Sequence, residues 1–368
     1  MQALWFVIVI LVFVMLQMHY YASRGLKGLR YSRFFNKETV FEGESVELVE
    51  VLENNKWAPL PLLRVESKIS PFLHFGASGD VDIRHNQFHR SVFFLRPFRR
   101  IRRRHTVTCL KRGYYDLRSA SMTVGDLFGA VRRTADVASS AELFVYPRIL
   151  SAGELPEAAR RFQGDARARR FILPDPILVS GIREYRRGDS RKDVHWGATA
   201  RTGALQVKVK DHTNAPKLWL IFNCQVSERN WRGLLDTEEA LLEGGLQTAA
   251  YIAHESVRVG HEVGFLSNGR VQNAEGLVRV PPSASKAHLH QLLRVMACLS
   301  FEVERSFHQL LDDIAAEKPR DADFAVVSAY WSPALEKRAE ALRALGNSVT
   351  HIPAGMADSG GGGAPDGG

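Results

Sequence analysis

Residues Gly181 to Arg201 read GIREYRRGDSRKDVHWGATAR. The stretch interleaves Tyr185, His195 and Trp196 with Arg183, Glu184, Asp189 and Arg191. A solvated face has no need of the rings, and a basic patch has no need of the acids. The mixture predicts a network in which each charge has a chosen partner. It also separates two halves of different periodicity, and that contrast decides the fold.

Before it, from Glu38 to about Leu150, apolar residues recur with period two. Val46, Leu48, Val49 and Val51 follow the turn Glu42-Gly43-Glu44, and Asn54-Asn55 with Pro59 and Pro61 mark the next turn. Further short runs at Leu62–Ile69, Phe88–Leu95, Arg104–Leu110, Ala120–Val124 and Glu142–Tyr146 predict an antiparallel, immunoglobulin-like β-sandwich over 38–150. Residues 151–215 form a connector. Its Ala/Arg/Glu-rich start predicts a mobile excursion with a short helix, Pro174 and Pro176 an extended lead-in, and Leu205–Lys210 a strand.

After it, strands and helices alternate, which predicts a doubly wound α/β domain over 216–354. Leu218–Phe222 is a continuous apolar run, as in a strand buried on both faces. Asp236-Thr237-Glu238-Glu239 starts a helix that ends at Gly260, and Gly244-Gly245 within it predicts close packing on the sheet. A strand at Glu262–Leu266 precedes a hairpin-like pair around Arg270–Val280. Helices at Lys286–Leu299, Phe307–Ala316 and Pro333–Leu345 and strands at Phe324–Ser328 and Ser348–Ile352 complete the pattern. Residues 355–368 are a glycine-rich tail, expected to be disordered.

At the N-terminus, Leu4–Met18 is apolar apart from Gln17, and no charge precedes Arg24. Residues 1–22 approach the ~20 needed to cross a bilayer as a helix. No basic residue precedes the run and no A-x-A-like site follows it, which favours a retained anchor over a cleaved signal peptide. Arg24, Lys27, Arg30, Arg33 and Lys37 then form a basic juxtamembrane linker, residues 23–37. By the positive-inside rule they place the rest of the chain in the cytoplasm, as a single-pass protein of the inner membrane. The same charges should attract anionic lipid head groups. Cys109, Cys224 and Cys298 are odd in number and lack CxxC spacing, which agrees with a reducing compartment.

The net charge of +9 is concentrated near the N-terminus and in RPFRRIRRRHTVTCLKRG, Arg96 to Gly113. Arg99, Arg100, Arg102, Arg103 and Arg104 could be an anionic lipid or nucleic-acid surface. They could equally be the outward face of an edge strand that blocks sheet-to-sheet pairing. Nucleic acid is the weaker reading, because only Phe98 supplies a nearby stacking ring.

The central stretch resembles the signature of the domain of unknown function 58 family, roughly G-x-R-E-Y-x-x-G-D-x-x-R-x-I-x-W-x-x-x-A-R. Gly181, Arg183, Glu184, Tyr185, Gly188, Asp189, Arg191, Trp196, Ala200 and Arg201 match, with Val194 at the apolar position. Arg112-Gly113-Tyr114 and Gly125-Asp126-Leu127-Phe128-Gly129 resemble a second family passage, with Leu127 in place of proline. The resemblance implies a bacterial or archaeal membrane-anchored protein whose C-terminal part is similar to a von Willebrand factor A domain. It also implies a MoxR-type AAA+ ATPase as partner, and it assigns no reaction.

Such a domain holds a divalent cation through D-x-S-x-S after its first strand. Here the matching positions are Asn223, Gln225 and Ser227, and Ser328-Ala329-Tyr330 stands where a Ser/Thr-Asp pair is expected. Without carboxylates to anchor the charge, no divalent cation or other cofactor is expected. A hydrolase would have to be built from Asp189, His195 or His254 and Cys224, and no local motif joins them. The expectation is a non-enzymatic adaptor. Its signature either pairs charges across the junction of the two domains, over Tyr185 and Trp196 packed beneath, or recognises the ATPase.

Overall fold

The computed structural model describes residues 2–76, 81–84, 88–126, 128–172, 179–186, 189, 191–210, 217–228, 234–272 and 276–355. Leu127, Gly188 and the tail beyond 355 lie outside them. The chain divides into two compact units, Met1–Ile149 with Leu293–Leu299, and Leu150–Leu292 with Ser300–Gly368.

The first unit opens with helix α1 (Gln2–Arg24). Ten strands follow among the described residues: β1 (Leu29–Phe35), β2 (Thr39–Phe41), β3 (Ser45–Asn54), β4 (Leu60–Lys68), β5 (Leu73–Phe75), β6 (Val81–Arg84), β7 (Phe88–Leu95), β8 (Arg100–Cys109), β9 (Gly113–Gly125) and β10 (Arg132–Tyr146). They form two sheets, ordered β1-β3-β8-β5 and β2-β10-β9-β4-β7-β6. Only β2 with β10 is parallel among the described pairs. The alternation that makes these strands also sorts their side chains. On β8, Arg100, Arg102 and Arg104 are exposed while His105, Val107 and Cys109 are buried. Val46, Leu48, Phe75, Val107, Leu143 and Val145 form one apolar cluster, and Leu52, Leu63, Val65, Phe93, Met122 and Val124 another.

The strand pairing corrects one expectation and bears on another. Residues 23–37 are not a linker, because β1 pairs along its whole length with β3 and Arg33 is buried within the unit. Its phase with Tyr31 and Phe35 turns it inward, whereas Arg24, Lys27, Arg30 and Lys37 stay exposed. The Arg-rich segment agrees with the edge-strand expectation where its arginines lie. β8 sits between β3 and β5, but β5 pairs only with Val107–Cys109, so over Arg100–Thr106 the described residues give β8 one neighbour, β3.

Helix α1 contains one segment, Leu4–Arg24, long and apolar enough to cross a membrane. The large apolar side chains from Leu4 to Leu16 are exposed apart from the half-buried Val14. The end of the helix is instead fastened to the sandwich. Gln17 donates to Asp126 Oδ2 at 3.0 Å, and Tyr21 donates to the Pro59 carbonyl at 2.8 Å.

The second unit starts with α2 (Glu157–Ile172), in the region expected to be a mobile excursion, and Leu155, Ala159 and Phe162 are buried there. Strands β11 (Val179–Glu184) and β12 (Gln206–Lys210) pair antiparallel around a short helix, α3 (Trp196–Thr202). The main sheet follows, built from β13 (Lys217–Phe222), helix α4 (Asp236–Arg258) and β14 (Val263–Ser267). Next come β15 (Gly269–Val271), β16 (Val278–Ser283), α5 (Lys286–Cys298), β17 (Leu299–Val303) and α6 (Phe307–Ala316), of which Leu293–Leu299 belong to the first unit. β18 (Ala322–Ser328), α7 (Pro333–Ala344) and β19 (Ser348–Pro353) end the unit.

The five-stranded sheet runs β16-β14-β13-β18-β19, with β16 antiparallel and the others parallel. β15 and β16 are not a hairpin pair: β16 joins β14, and β15 joins β17. The helix start lies one residue earlier than the acids suggest. Leu235 is the N-cap, and its N–H donates to Glu238 at 2.9 Å. At Gly245 an added Cβ would lie 2.7 Å from the Ala354 Cβ, which is why glycine persists mid-helix.

Candidate functional site

The signature folds back on itself as a local structure. β11 carries Arg183 and Glu184 opposite Val207 and Gln206 of β12. Between the strands, Arg183 forms a two-bond fork with Asp189, Nη1 to Oδ2 and Nη2 to Oδ1, both at 2.7 Å. The Arg186 N–H donates to the same carboxylate at 2.8 Å. Those hydrogen bonds, Arg183 first, hold Asp189 at about 2, below the usual carboxylate range. His195 caps α3, its Nδ1 accepting from the Ala198 N–H at 3.0 Å, and Gly203 closes the helix in the left-handed region.

The prediction that every charge has a partner is met at Arg183 and Asp189, but not across a domain junction. The pair lies within one hairpin, and its side chains remain 42% and 18% exposed. Tyr185 and Trp196 do not pack beneath it. Trp196 is 71% exposed, and Tyr185, Ile182 and Leu205 are exposed beside it in the hairpin. Glu184, Arg191 and Arg201 also face solvent, and Gly188 lies outside the described residues. In place of the expected buried pairs, Arg183 and Asp189 are bonded to each other within the hairpin.

The second passage is structural. Within the first unit, Arg112 Nη1 donates to the carbonyls of Met296 and Leu299 at 2.7 and 2.8 Å. Buried Asp126 accepts from the Val131 N–H at 2.9 Å as well as from Gln17, and Gly129 has φ 73° in the turn that follows. Leu127 lies outside the described residues.

At the carboxyl ends of β13 and β18, the positions of the degenerate metal motif form a closed amide network. Asn223 Nδ2 donates to Ser328 Oγ at 2.9 Å, and Asn223 Oδ1 accepts from the Gln225 N–H at 3.0 Å. Asn268, absent from the sequence-based site, supplies the centre. Its Oδ1 accepts from the Cys224 N–H at 2.8 Å, and its Nδ2 donates to Asn223 and Gln225 at 3.2 and 3.3 Å. Gln225 Oε1 also accepts from the Phe307 N–H at 2.7 Å. All four side chains are buried, whereas Ser227 is exposed and outside the network. The oxygens that would face a cation are occupied by N–H donors.

The residues of the hydrolase alternative are dispersed among other partners. Asp189 is held by Arg183, His195 caps α3, and His254 lies beside Glu255 at 3.4 Å. Cys224 is fully buried, with its sulfur 3.4 Å from Ser267 Oγ. In the Arg-rich strand, Arg100 pairs with Glu53 at 3.2 Å and Arg104 lies 3.9 Å from Glu47. Arg102 and Arg103 sit over the rings of Phe34 and Phe93, and Arg99 is exposed. Much of that positive stripe is therefore matched by β3 acids or aromatic faces.

Sequence reading missed a third cluster altogether. Glu50 of β3, His89 of β7 and His105 of β8 are buried inside the sandwich. Glu50 accepts from Tyr31 at 2.6 Å and from Ser91 at 2.9 Å, and lies 2.8 Å from His105 Nε2. Burial pushes Glu50 up, but the hydrogen bonds from His105 and Tyr31 and the charge at His89 outweigh it and hold the carboxyl at about 2. Burial pushes His89 down to about 4. A signal existed in the phase of the strands. Glu50 alternates in step with Leu48 and Leu52, and His105 with Val107 and Cys109, so both point inward.

An apolar N-terminal helix, a β-sandwich and an α/β unit with an uncharged strand-end site define a class of two-unit protein led by an apolar helix. The family profile described as "Protein of unknown function DUF58" matches residues 181–365, half of the chain. The chain belongs to that family. No curated protein matches it. Among solved structures, a human CEP192 ASH/PapD-like domain is similar at 16% identity, covering 32% of this chain and 86% of its own, with a TM-score of 0.22. A cohesin from Archaeoglobus fulgidus is similar at 8% identity over 32% and 91%, with a TM-score of 0.23. The pilin SpaD of Corynebacterium diphtheriae is similar at 7% identity over 32% and 35%, with a TM-score of 0.26. Likenesses this weak say nothing about function.

Proposed function

We propose that the chain is a membrane-tethered adaptor working with a MoxR-type AAA+ ATPase in the assembly or activation of other proteins, without a reaction of its own. The observation that carries this reading is the exposure of Trp196 on a hairpin whose Arg183–Asp189 pair is internally satisfied. A rigid hairpin with an exposed indole resembles the anchor of a protein interface, where aromatic residues and arginine dominate binding. A buried structural joint would have covered it.

Retention of α1 as an inner-membrane anchor is supported by the bonds of Gln17 and Tyr21 to the sandwich, which a cleaved segment would not need. The exposed Arg24, Lys27, Arg30 and Lys37 support a cytoplasmic location for both units and contact with lipid head groups. The sheet order, with an antiparallel strand outside β14 and β13 at the centre, supports likeness to a von Willebrand A domain. Its amide network supports a strand end that works without a cation. The test is affinity purification of the full chain from detergent-solubilised membranes, followed by mass spectrometry. An AAA+ ATPase should be enriched, and its reproducible absence would sink the proposal.

A further inference from the structure

We propose that Glu50, His89 and His105 form a buried binding site for one divalent transition-metal ion of the zinc type. The three residues come from β3, β7 and β8, so the site draws on both sheets of the sandwich. One donor atom of each lies within 4.8 Å of the other two. Tetrahedral zinc with bonds of about 2.0–2.2 Å needs donors about 3.4 Å apart, a closure that side-chain rotation can supply. Two imidazoles and one carboxylate are the donor set of an open zinc site with three protein ligands.

A purely protein network leaves one atom unexplained. His89 Nε2 is buried with no hydrogen-bond partner, on a side chain only 2% exposed. Buried polar atoms in folded proteins nearly always have a partner, and an ion is one recognised reason for an exception. The surroundings also resemble an outer shell. Tyr31 and Ser91 fix the Glu50 carboxylate from opposite oxygens, as hydrogen-bonded partners do around metal ligands. Arg33 opposes a cation: its guanidinium donates to Ser67 and to the carbonyls of Leu117 and Ser139, and it also reaches the Tyr31 hydroxyl beside Glu50. Its charge places the site among the weaker ones of its type. The burial of all three ligands means that loading is coupled to folding of the sandwich.

The experiment uses the full chain in detergent, without a polyhistidine tag, stripped by chelator during unfolding and refolded with Co²⁺ or Zn²⁺. We expect one ion per chain by elemental analysis, and a visible Co²⁺ spectrum of tetrahedral type without a thiolate charge-transfer band. Zn²⁺ should raise the melting temperature. His89→Gln should weaken uptake by more than about tenfold, and Tyr31→Phe by about tenfold while leaving the ligands in place. If the wild-type chain refolds but takes up no Co²⁺, or takes up as much as folded His89→Gln, the site does not exist. Should His89→Gln fail to fold, the wild-type stoichiometry and spectrum decide alone.

Discussion

Arg183 and Asp189 are joined by two parallel hydrogen bonds of 2.7 Å inside a single hairpin. The pair is solvent-exposed, so it shapes the hairpin without holding the unit together. Asp189→Asn should therefore leave the melting temperature close to that of the parent while weakening capture of the proposed ATPase partner. A large loss of thermal stability would instead place the pair in a buried joint.

The amide network makes a prediction of the opposite kind. Asn268→Ala removes the acceptor of the Cys224 N–H and the donor to Asn223 and Gln225. Leaving such buried groups unpaired costs about 1–3 kcal/mol each, so urea denaturation should show a loss of at least ~2 kcal/mol. Millimolar Mg²⁺ should not change the midpoint of the parent chain.

Gly245→Ala should destabilise, although alanine gains up to about 1 kcal/mol in a helix interior. The new methyl would meet the Ala354 Cβ at 2.7 Å and its Cα at 3.2 Å. Overpacking of this kind costs about 1–3 kcal/mol, which exceeds the propensity gain. A raised denaturation midpoint would show that α4 and the end of β19 are less tightly packed than the structure indicates.

Acid should unfold the metal-free sandwich in two overlapping windows. His89 is held at about 4 against an ordinary value of 6.5, so the unfolded chain binds more protons in between and stability falls as pH drops from 6.5 to 4. Glu50 is held at about 2 against 4.5, so its contribution is present above 4.5 and lost as pH falls towards 2. Denaturant midpoints measured with chelator present should decline through both windows. Glu50→Gln should flatten the lower one.

The α/β unit was legible because its signals are local. Leu218–Phe222 is too apolar for any place but a central strand, and Phe307–Ala316 is the helix at the residues expected. The hairpin around Arg270–Val280 was misread because partner choice in a sheet is not local, and β16 finds β14. The basic linker was misread for the same reason. Arg33 looks like its exposed neighbours until β1 pairs with β3 and the strand phase turns it inward. Within the signature, residue types disclosed the Arg183–Asp189 pairing but not the exposure of Trp196, which depends on what the rest of the chain leaves uncovered. The Glu50–His89–His105 cluster joins positions far apart in sequence and in different sheets, so only strand phase hinted at it.

The most direct test of the partner surface is photo-crosslinking in intact membranes from a benzophenone amino acid replacing Trp196. The account predicts a specific adduct with an AAA+ ATPase, lost when Asp189→Asn is added to the same chain. Adducts formed only with lipid or with this chain, at full expression and correct membrane insertion, would contradict it.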